Sequence, residues 1–320
     1  MAAPMLLRNT RHEIQFLSCF CHHGALISKS SHRFRTYSTR NVDNSQYCVD
    51  QLRKQDYEGF LVSLLMPSSS RSASIALRTF NAELASVRDS VSNVHIGKMR
   101  LQFWRDCIEK IYAGNPPHQP IAMELFKAVQ KHQLSRRWLS RMVDERESTL
   151  KDKSFATVSD VETYAENTMS SVLYLTLQVL GVKDIHADHA ASHIGKSHGI
   201  VNLIRGIPYL AQKRNVLVPM ELTMKYNLSH EDIIRGNRGQ AMKDLTFDLA
   251  SLANSHLSHA RDLKKDIPRS AFPAFLVTVS LESYLKRIQQ ADFDVFHSSL
   301  TNRNPLLPAQ LWLQTWRRTY

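Results

Sequence analysis

Apolar residues recur along this chain at intervals of three and four, with little strict alternation, so the pattern predicts helices throughout. A first helix is predicted from Tyr47 to Met66, closed by Pro67, with Ser68, Ser69 and Ser70 read as a linker. From Ile75 to Ser92, the positions Ile75, Leu77, Phe80, Leu84, Val87 and Val91 share one helical face, and Glu83, Arg88 and Asp89 are its polar members. Gly97 marks a short connector to a helix that starts at Lys98 and closes at Gly114 and the Pro116-Pro117 turn. Two short helices fill 121–150, and a further one runs from Ser159, a candidate N-cap, to Leu180 ahead of Gly181. The stretch from His193 to Pro219 places Ile194, Ser197, Val201, Ile204 and Pro208 on one stripe; it is read as a buried helix that breaks near Gly206 and Pro208 and feeds a basic loop. Three more helices are predicted around 229–237, 240–265 and 272–290.

Composition narrows this picture without changing it. With 320 residues the chain can bury a full core, as one large all-α domain with an extension or as two smaller domains, and ten glycines and eleven prolines leave little room for a turn-rich β fold. The net charge of +12 is unevenly spread, because residues 1–40 hold six Lys or Arg (Arg8, Arg11, Lys29, Arg33, Arg35, Arg40) against the single acid Glu13. This Arg- and Ser-rich stretch, amphipathic around Met5 to Phe20, matches a mitochondrial transit peptide rather than a secretory signal, and Arg35-Thr36-Tyr37-Ser38 resembles a matrix-protease site that would start the mature chain near Ser38. Residues 1–44 are therefore assigned to a transit peptide and linker and 45–320 to the helical domain with its C-terminal tail; the alternative for the first segment is a basic tail left in place.

Beyond residue 40 the excess falls to 35 basic residues against 28 acidic ones. This suits an anionic membrane surface or an acidic protein partner, and the absence of aromatic-interleaved basic patches argues against nucleic acid. Past Cys19 and Cys21 only Cys48 and Cys107 remain, with no spacing for zinc or a disulfide framework, which fits a reducing compartment. No apolar run approaches the roughly 20 residues of a spanning helix, so membrane contact must be peripheral. His186, His189 and His193 share a helical spacing with Asp188 beside them and His198 following, but no further acid or base stands at defined spacing; they are read as a solvent-facing cluster and not as a metal site. The tail from Asn304, with Trp312, Trp316 and a basic end, is read as a docking surface for a partner or a membrane interface.

Several motifs together point to a family. Asn202, Ile204 and Arg205, followed by Arg214 and Pro219, keep the frame of a helix written Q-x-x-N-I-x-R-D-x-x-x-D and its R-x-Y-L-P loop; Leu101, Trp104 and Arg105 keep an L-x-x-W-R helix; Tyr164, Asn167, Ser170 and Ser171 occupy a Y-x-x-x-V-A-G-x-V-G-like helix. In these features the chain resembles the trans-isoprenyl diphosphate synthases of the squalene and phytoene synthase type over about residues 45–300. The resemblance implies an isoprenoid-synthase-type helical bundle around a central cleft. It also implies two aspartate-rich helices that hold Mg²⁺ and a substrate diphosphate, and here both are altered. Gly206 and Leu210 stand at the second pair of aspartates, and Asp89 is the one carboxylate retained near the first, with Ser90, Val91, Ser92 and Asn93 after it. Glycine and leucine cannot ligate Mg²⁺, which requires hard oxygen donors.

The cleft candidates that follow from the resemblance are Glu83, Arg88, Asp89, Gln102, Trp104, Asn202, Arg205 and Arg214, with no catalytic residue, metal or cofactor assigned. Trp104 has a second reading as part of an ordinary core stripe with Leu101 and Ile108. A transit peptide on a metal-stripped synthase fold resembles the mitochondrial branch of the family concerned with building respiratory complex I. That resemblance implies a matrix protein at the inner membrane, acting early on mitochondrially encoded subunits, with complex I subunits or other assembly factors as partners. Two other functions stay open: a carrier for an isoprenoid or lipid, and a residual prenyl or lipid transferase in which Glu83, Asp89 and Arg205 form an altered diphosphate site.

Overall fold

Asp56 splits the first predicted helix in two. Its carboxylate accepts a hydrogen bond from the Gly59 amide at 2.8 Å and so caps a new helix, which separates α1 (Asn44–Gln55) from α2 (Tyr57–Leu64). The computed structural model describes residues 43–91, 93–150 and 154–320, so the transit-peptide assignment for 1–42 lies outside the described residues. The three serines are not a linker. Pro67 sits at the N-cap of α3 (Ser68–Ser90), and the serines form that helix's first turn, where Ser70 is already buried. Nor is Gly97 a connector: α4 (Val94–Tyr112) begins at the Asn93 cap and carries Gly97 inside it, where a Cβ would meet Leu150 at 2.7 Å.

The two helices expected over 121–150 are α5 (Pro120–His132) and α6 (Arg136–Ser148). The next starts two residues earlier than its sequence signal, because Thr157 rather than Ser159 forms a capping box with Asp160. It then runs as α7 (Val158–Ala165), a π-helical turn (Glu166–Ser170) and α8 (Ser171–Val179). The extra residue of the π turn is held by Glu166, which accepts hydrogen bonds from Tyr174 at 2.6 Å and Ser192 at 2.7 Å.

The centre of the molecule is α9 (Ile185–Gln212), a 28-residue helix that passes through Gly206 and Pro208 without breaking. Local chemistry favours a break there. It is overridden because Ile194, Ile200, Val201, Ile204, Ile207 and Leu210 are all buried, so the helix is clamped on most of its circumference. Short helices α10 (Met220–Lys225) and α11 (His230–Ile234) lead to α12 (Gln240–Asp262), which lies along α9, and then to α13 (Phe272–Phe275), α14 (Val277–Gln290) and α15 (Leu307–Trp316). Among the described residues there is no strand and no helix long and apolar enough to cross a membrane.

Burial divides the interior into two large cores. One joins α1, α3, α4, α5, α6 and α8 around Phe80, Trp104, Leu125 and Leu139; the other joins α9, α12 and α14 around Ile204, Leu249 and Leu281. A small third cluster ties Val62 and Leu276 to Leu307 and Leu311 of α15. The candidate cleft lies at the seam between the two large cores.

Candidate cleft at the seam of the two cores

An inner cavity of about 80 Å³ lies in this seam. It is walled by Leu84 and Val87 of α3, Leu101 of α4, Tyr164 of α7, and Leu203 and Leu210 of α9, with Arg88, Arg146, Asn202 and Gly206 also on its surface. It opens toward a polar mouth of about 570 Å³ lined by Arg88, Asp89, Lys213, Arg214 and His230, and Arg88 and Leu210 border both spaces.

The mouth places one carboxylate against a built-in cation. Asp89 Oδ1 lies 3.5 Å from Lys213 Nζ, and the Asp89 side chain is nearly buried while Lys213 also stacks over the Tyr209 ring at 4.8 Å. On the α9 side of the cleft Gly206 and Leu210 carry no side-chain oxygen, and Asn202 brings a neutral amide rather than a carboxylate. Mg²⁺ demands near-octahedral oxygen coordination, and a metal-bridged diphosphate needs carboxylates on both helices, so these residues do not fit that pair. Deeper in, Arg146 is only 7% exposed; it donates to Asn81 Oδ1 at 3.2 Å and stacks over Tyr164 at 5.4 Å. The interior is therefore apolar with guanidinium groups at its edge.

The residues singled out from sequence separate into two sets. Arg88, Asp89, Asn202 and Arg214 gather at the cleft, with Arg214 largely exposed and paired to Glu231 at 3.1 Å. Glu83 is half-buried on the same helix as Asp89, and burial raises its carboxyl pKa against the opposing charge of Arg100. Glu83, Gln102, Trp104 and Arg205 line neither cavity. Gln102 is exposed and bonds Asp106 at 2.7 Å; Trp104 packs edge-on against Phe80, centroids 5.3 Å apart, inside the first core. Arg205 points away from the cleft, where it pairs with Glu58 at 3.0 Å and stacks on Tyr284 at 4.4 Å. Helical spacing explains this: Arg205 is three positions on from Asn202 but turned about 60° from it in the direction away from Leu203, Gly206 and Leu210, so it falls off the edge of the cleft-facing run.

Two cleft residues escaped the sequence reading. Lys213 is hidden beside the motif residue Arg214. Arg146 had a visible signal, since it continues the buried stripe Leu139, Met142, Val143 as a charge on an apolar face.

The histidine stretch also differs from a solvent-facing cluster. His186 and His189 are exposed, but His193 is half-buried: its Nδ1 lies 2.9 Å from His256 Nδ1, His256 Nε2 lies 2.8 Å from Glu162, and the His189 and His259 rings stand 5.2 Å from the His193 ring. Among the described residues no group of three or more His, Cys, Asp or Glu is arranged to hold a metal ion. His198 faces elsewhere. Desolvation first, then the charges of Arg78 and Arg205, push its pKa from 6.5 down to about 3, while desolvation and the neighbouring His256, His189, His259 and Lys196 take His193 to about 4. Between pH 6.5 and these values the unfolded chain binds protons that the folded one refuses, so stability is expected to fall with decreasing pH across that window. Thermal melts over the window should show the decline, and His198→Gln should make it shallower; an identical pH slope in that variant would contradict the assignment.

Residues 52–310 match the family model for squalene/phytoene synthase. The chain is 56% identical over 274 residues to a Homo sapiens protein named NADH dehydrogenase (ubiquinone) complex I, assembly factor 6, covering 86% of this chain and 82% of that one. A Drosophila melanogaster homologue of the same name is 38% identical over 280 residues, covering 85% of this chain and 84% of its own. Among solved structures, a dehydrosqualene synthase crystallised with a ligand superposes with a TM-score of 0.74 at 15% identity, covering 86% of this chain and 95% of that one, a likeness of fold.

Proposed function

The chain belongs to the squalene/phytoene synthase family, and from that footing we propose that it is a non-catalytic assembly factor for mitochondrial respiratory complex I. In this reading it acts early, on mitochondrially encoded subunits, from the matrix side of the inner membrane, and its partners are complex I subunits or other assembly factors. The high identity to relatives named for complex I assembly supports the biological setting.

The observation that carries the non-catalytic reading is the mouth of the cleft. Its one acid from the first motif helix already faces Lys213 at 3.5 Å, and the second motif helix presents glycine and leucine. Ionisation of an allylic diphosphate depends on cations clamped to the leaving group from both sides, and here the Asp89 carboxylate has an ammonium as its counter-charge instead. Residual transfer through Glu83, Asp89 and Arg205 is disfavoured for a further reason: Arg205 is engaged with Glu58 outside the cleft. Volume weighs against the carrier reading. Ligand pockets usually span about 300 to 1,000 Å³; the apolar inner cavity, at about 80 Å³, falls short of that, and the mouth of about 570 Å³ reaches it only with a largely polar lining that includes Arg88, Asp89, Lys213, Arg214 and His230 and suits no isoprenoid tail.

Purified protein should release no diphosphate from farnesyl or geranylgeranyl diphosphate in the presence of Mg²⁺ or Mn²⁺. Cells lacking the protein should regain assembled complex I when supplied with the Asp89→Asn variant. Diphosphate release above a heat-killed control, lost in Asp89→Asn, would replace this reading with an enzymatic one.

A further inference from the structure

We propose that α15 is a membrane-docking helix that seats Trp312 and Trp316 in the headgroup layer of an anionic phospholipid bilayer. The two indoles are 61% and 70% exposed and lie one helical turn apart, so they project from the same face. Leu306, at the start of the helix, is also outward. Large apolar side chains this exposed are not explained by the fold, which buries α15 by its other face through Leu307 and Leu311 against Val62 and Leu276.

The helix is held rigidly in this pose. Beyond its C-terminus Tyr320 turns back into the second core, its ring 5.0 Å from Phe272 and 5.1 Å from Phe275 and its hydroxyl donating to the Ala260 carbonyl at 3.1 Å. Lys264 bonds the Thr319 hydroxyl beside it. With both ends of the segment anchored, the tryptophans are presented outward without the ordering cost a loose tail would incur.

Charge identifies the occupant. From Val295 to Tyr320 the chain contains Arg303, Arg317 and Arg318 and no Asp or Glu. A groove of about 600 Å³ between α14 and α15 adds Lys286 and Arg287 to Arg303, and its one acid, Glu282, is paired with Arg261. Aromatic side chains that are apolar with a polar edge, bordered by cations of a single sign, match an interface that is uniformly negative outside and apolar beneath. The exposed stripe Ile96, Met99 and Phe103 on α4 lacks this one-sided charge, since Arg105, Asp144 and Glu147 pair beside that helix. The absence of a spanning helix among the described residues leaves peripheral docking as the mode available to them.

This proposal rests on the reading above only in placing the work at a membrane, and its test needs no complex I. Protein recovered from mitochondria is sedimented with vesicles of phosphatidylcholine alone or with phosphatidylglycerol added. The wild type should bind the anionic vesicles and not the neutral ones. Trp312→Ala with Trp316→Ala should weaken binding roughly tenfold or more, Arg317→Gln with Arg318→Gln on the order of tenfold at low salt, and Trp312→Phe with Trp316→Phe should restore much of it. Because these side chains point outward, the melting temperature of each variant should match the parent, which separates lost docking from lost folding. Absence of wild-type binding to anionic vesicles, or equal binding by the alanine pair, would overturn the proposal. Alanine substitution that spares vesicle binding but abolishes association with complex I components would make the face a protein contact instead. If vesicle binding fails while complex I assembly still depends on the protein, the docking proposal alone falls.

Discussion

Gly195→Ala is expected to destabilise the protein by about 3 kcal/mol or more, the upper end of the range for overpacking, and Gly195→Val to prevent folding. Helix propensity alone predicts the opposite sign, a gain of roughly 1 kcal/mol for alanine over glycine inside a helix. Sterics decide the outcome here. A Cβ at Gly195 would come within 2.5 Å of the backbone of Ser170 in the π turn, and one at Gly199 would lie 3.0 Å from the Ala165 Cα as well as against its side chain. Two helices thus touch backbone to backbone through glycines four residues apart. The π turn cannot retreat cheaply, because Glu166 ties it to Tyr174 and Ser192. Trimming Ser170 to alanine should not rescue Gly195→Ala, since the backbone nitrogen and Cα remain in the way. Urea unfolding of the two single variants and the double would read this directly, and a Gly195→Ala protein as stable as the parent would refute the contact.

The same contact shows where sequence reasoning reaches and where it stops. Helical periodicity and the Asn202-to-Pro219 and Leu101-to-Arg105 motifs made the all-α, isoprenoid-synthase-type bundle legible, because a long apolar stripe has few other solutions. Boundaries were less legible for local reasons: Asp56 can lie inside a helix or cap one, and only its bond to Gly59 selects the cap. Pro208 reads as a break until the burial of Ile204, Ile207 and Leu210 around it is known. The site depended most on distant partners. Arg205 belongs to a family motif, yet its ion pair is with Glu58, far away in sequence, and this turns it out of the cleft; the His193–His256 contact likewise spans 63 residues. Asp89 was visible as a lone acid, whereas its neutralisation by Lys213 required the end of α9 to be brought beside the end of α3.

Trp104→Ala is expected to cost about 3 to 5 kcal/mol, the usual penalty for emptying a buried tryptophan site. Trp104 is 2% exposed, packs edge-on between Phe80 and Phe103 at centroid distances of 5.3 and 5.5 Å, and shares its core with Leu101, Cys107 and Ile108. Domains of this kind are stable by only about 5 to 15 kcal/mol, so the loss would leave a large unfolded fraction and mimic loss of function in cells. Trp104 sits one turn from Leu101, which does wall the inner cavity, so collapse at Trp104 would also reshape the cleft. Partner association should therefore fail in proportion to folding, and Trp104→Phe, which keeps an aromatic against Phe80, should recover much of both. Thermal melts and partner recovery measured on the same samples distinguish the roles: a Trp104→Ala protein that melts like the parent yet loses its partners would move this residue from the core to a binding surface.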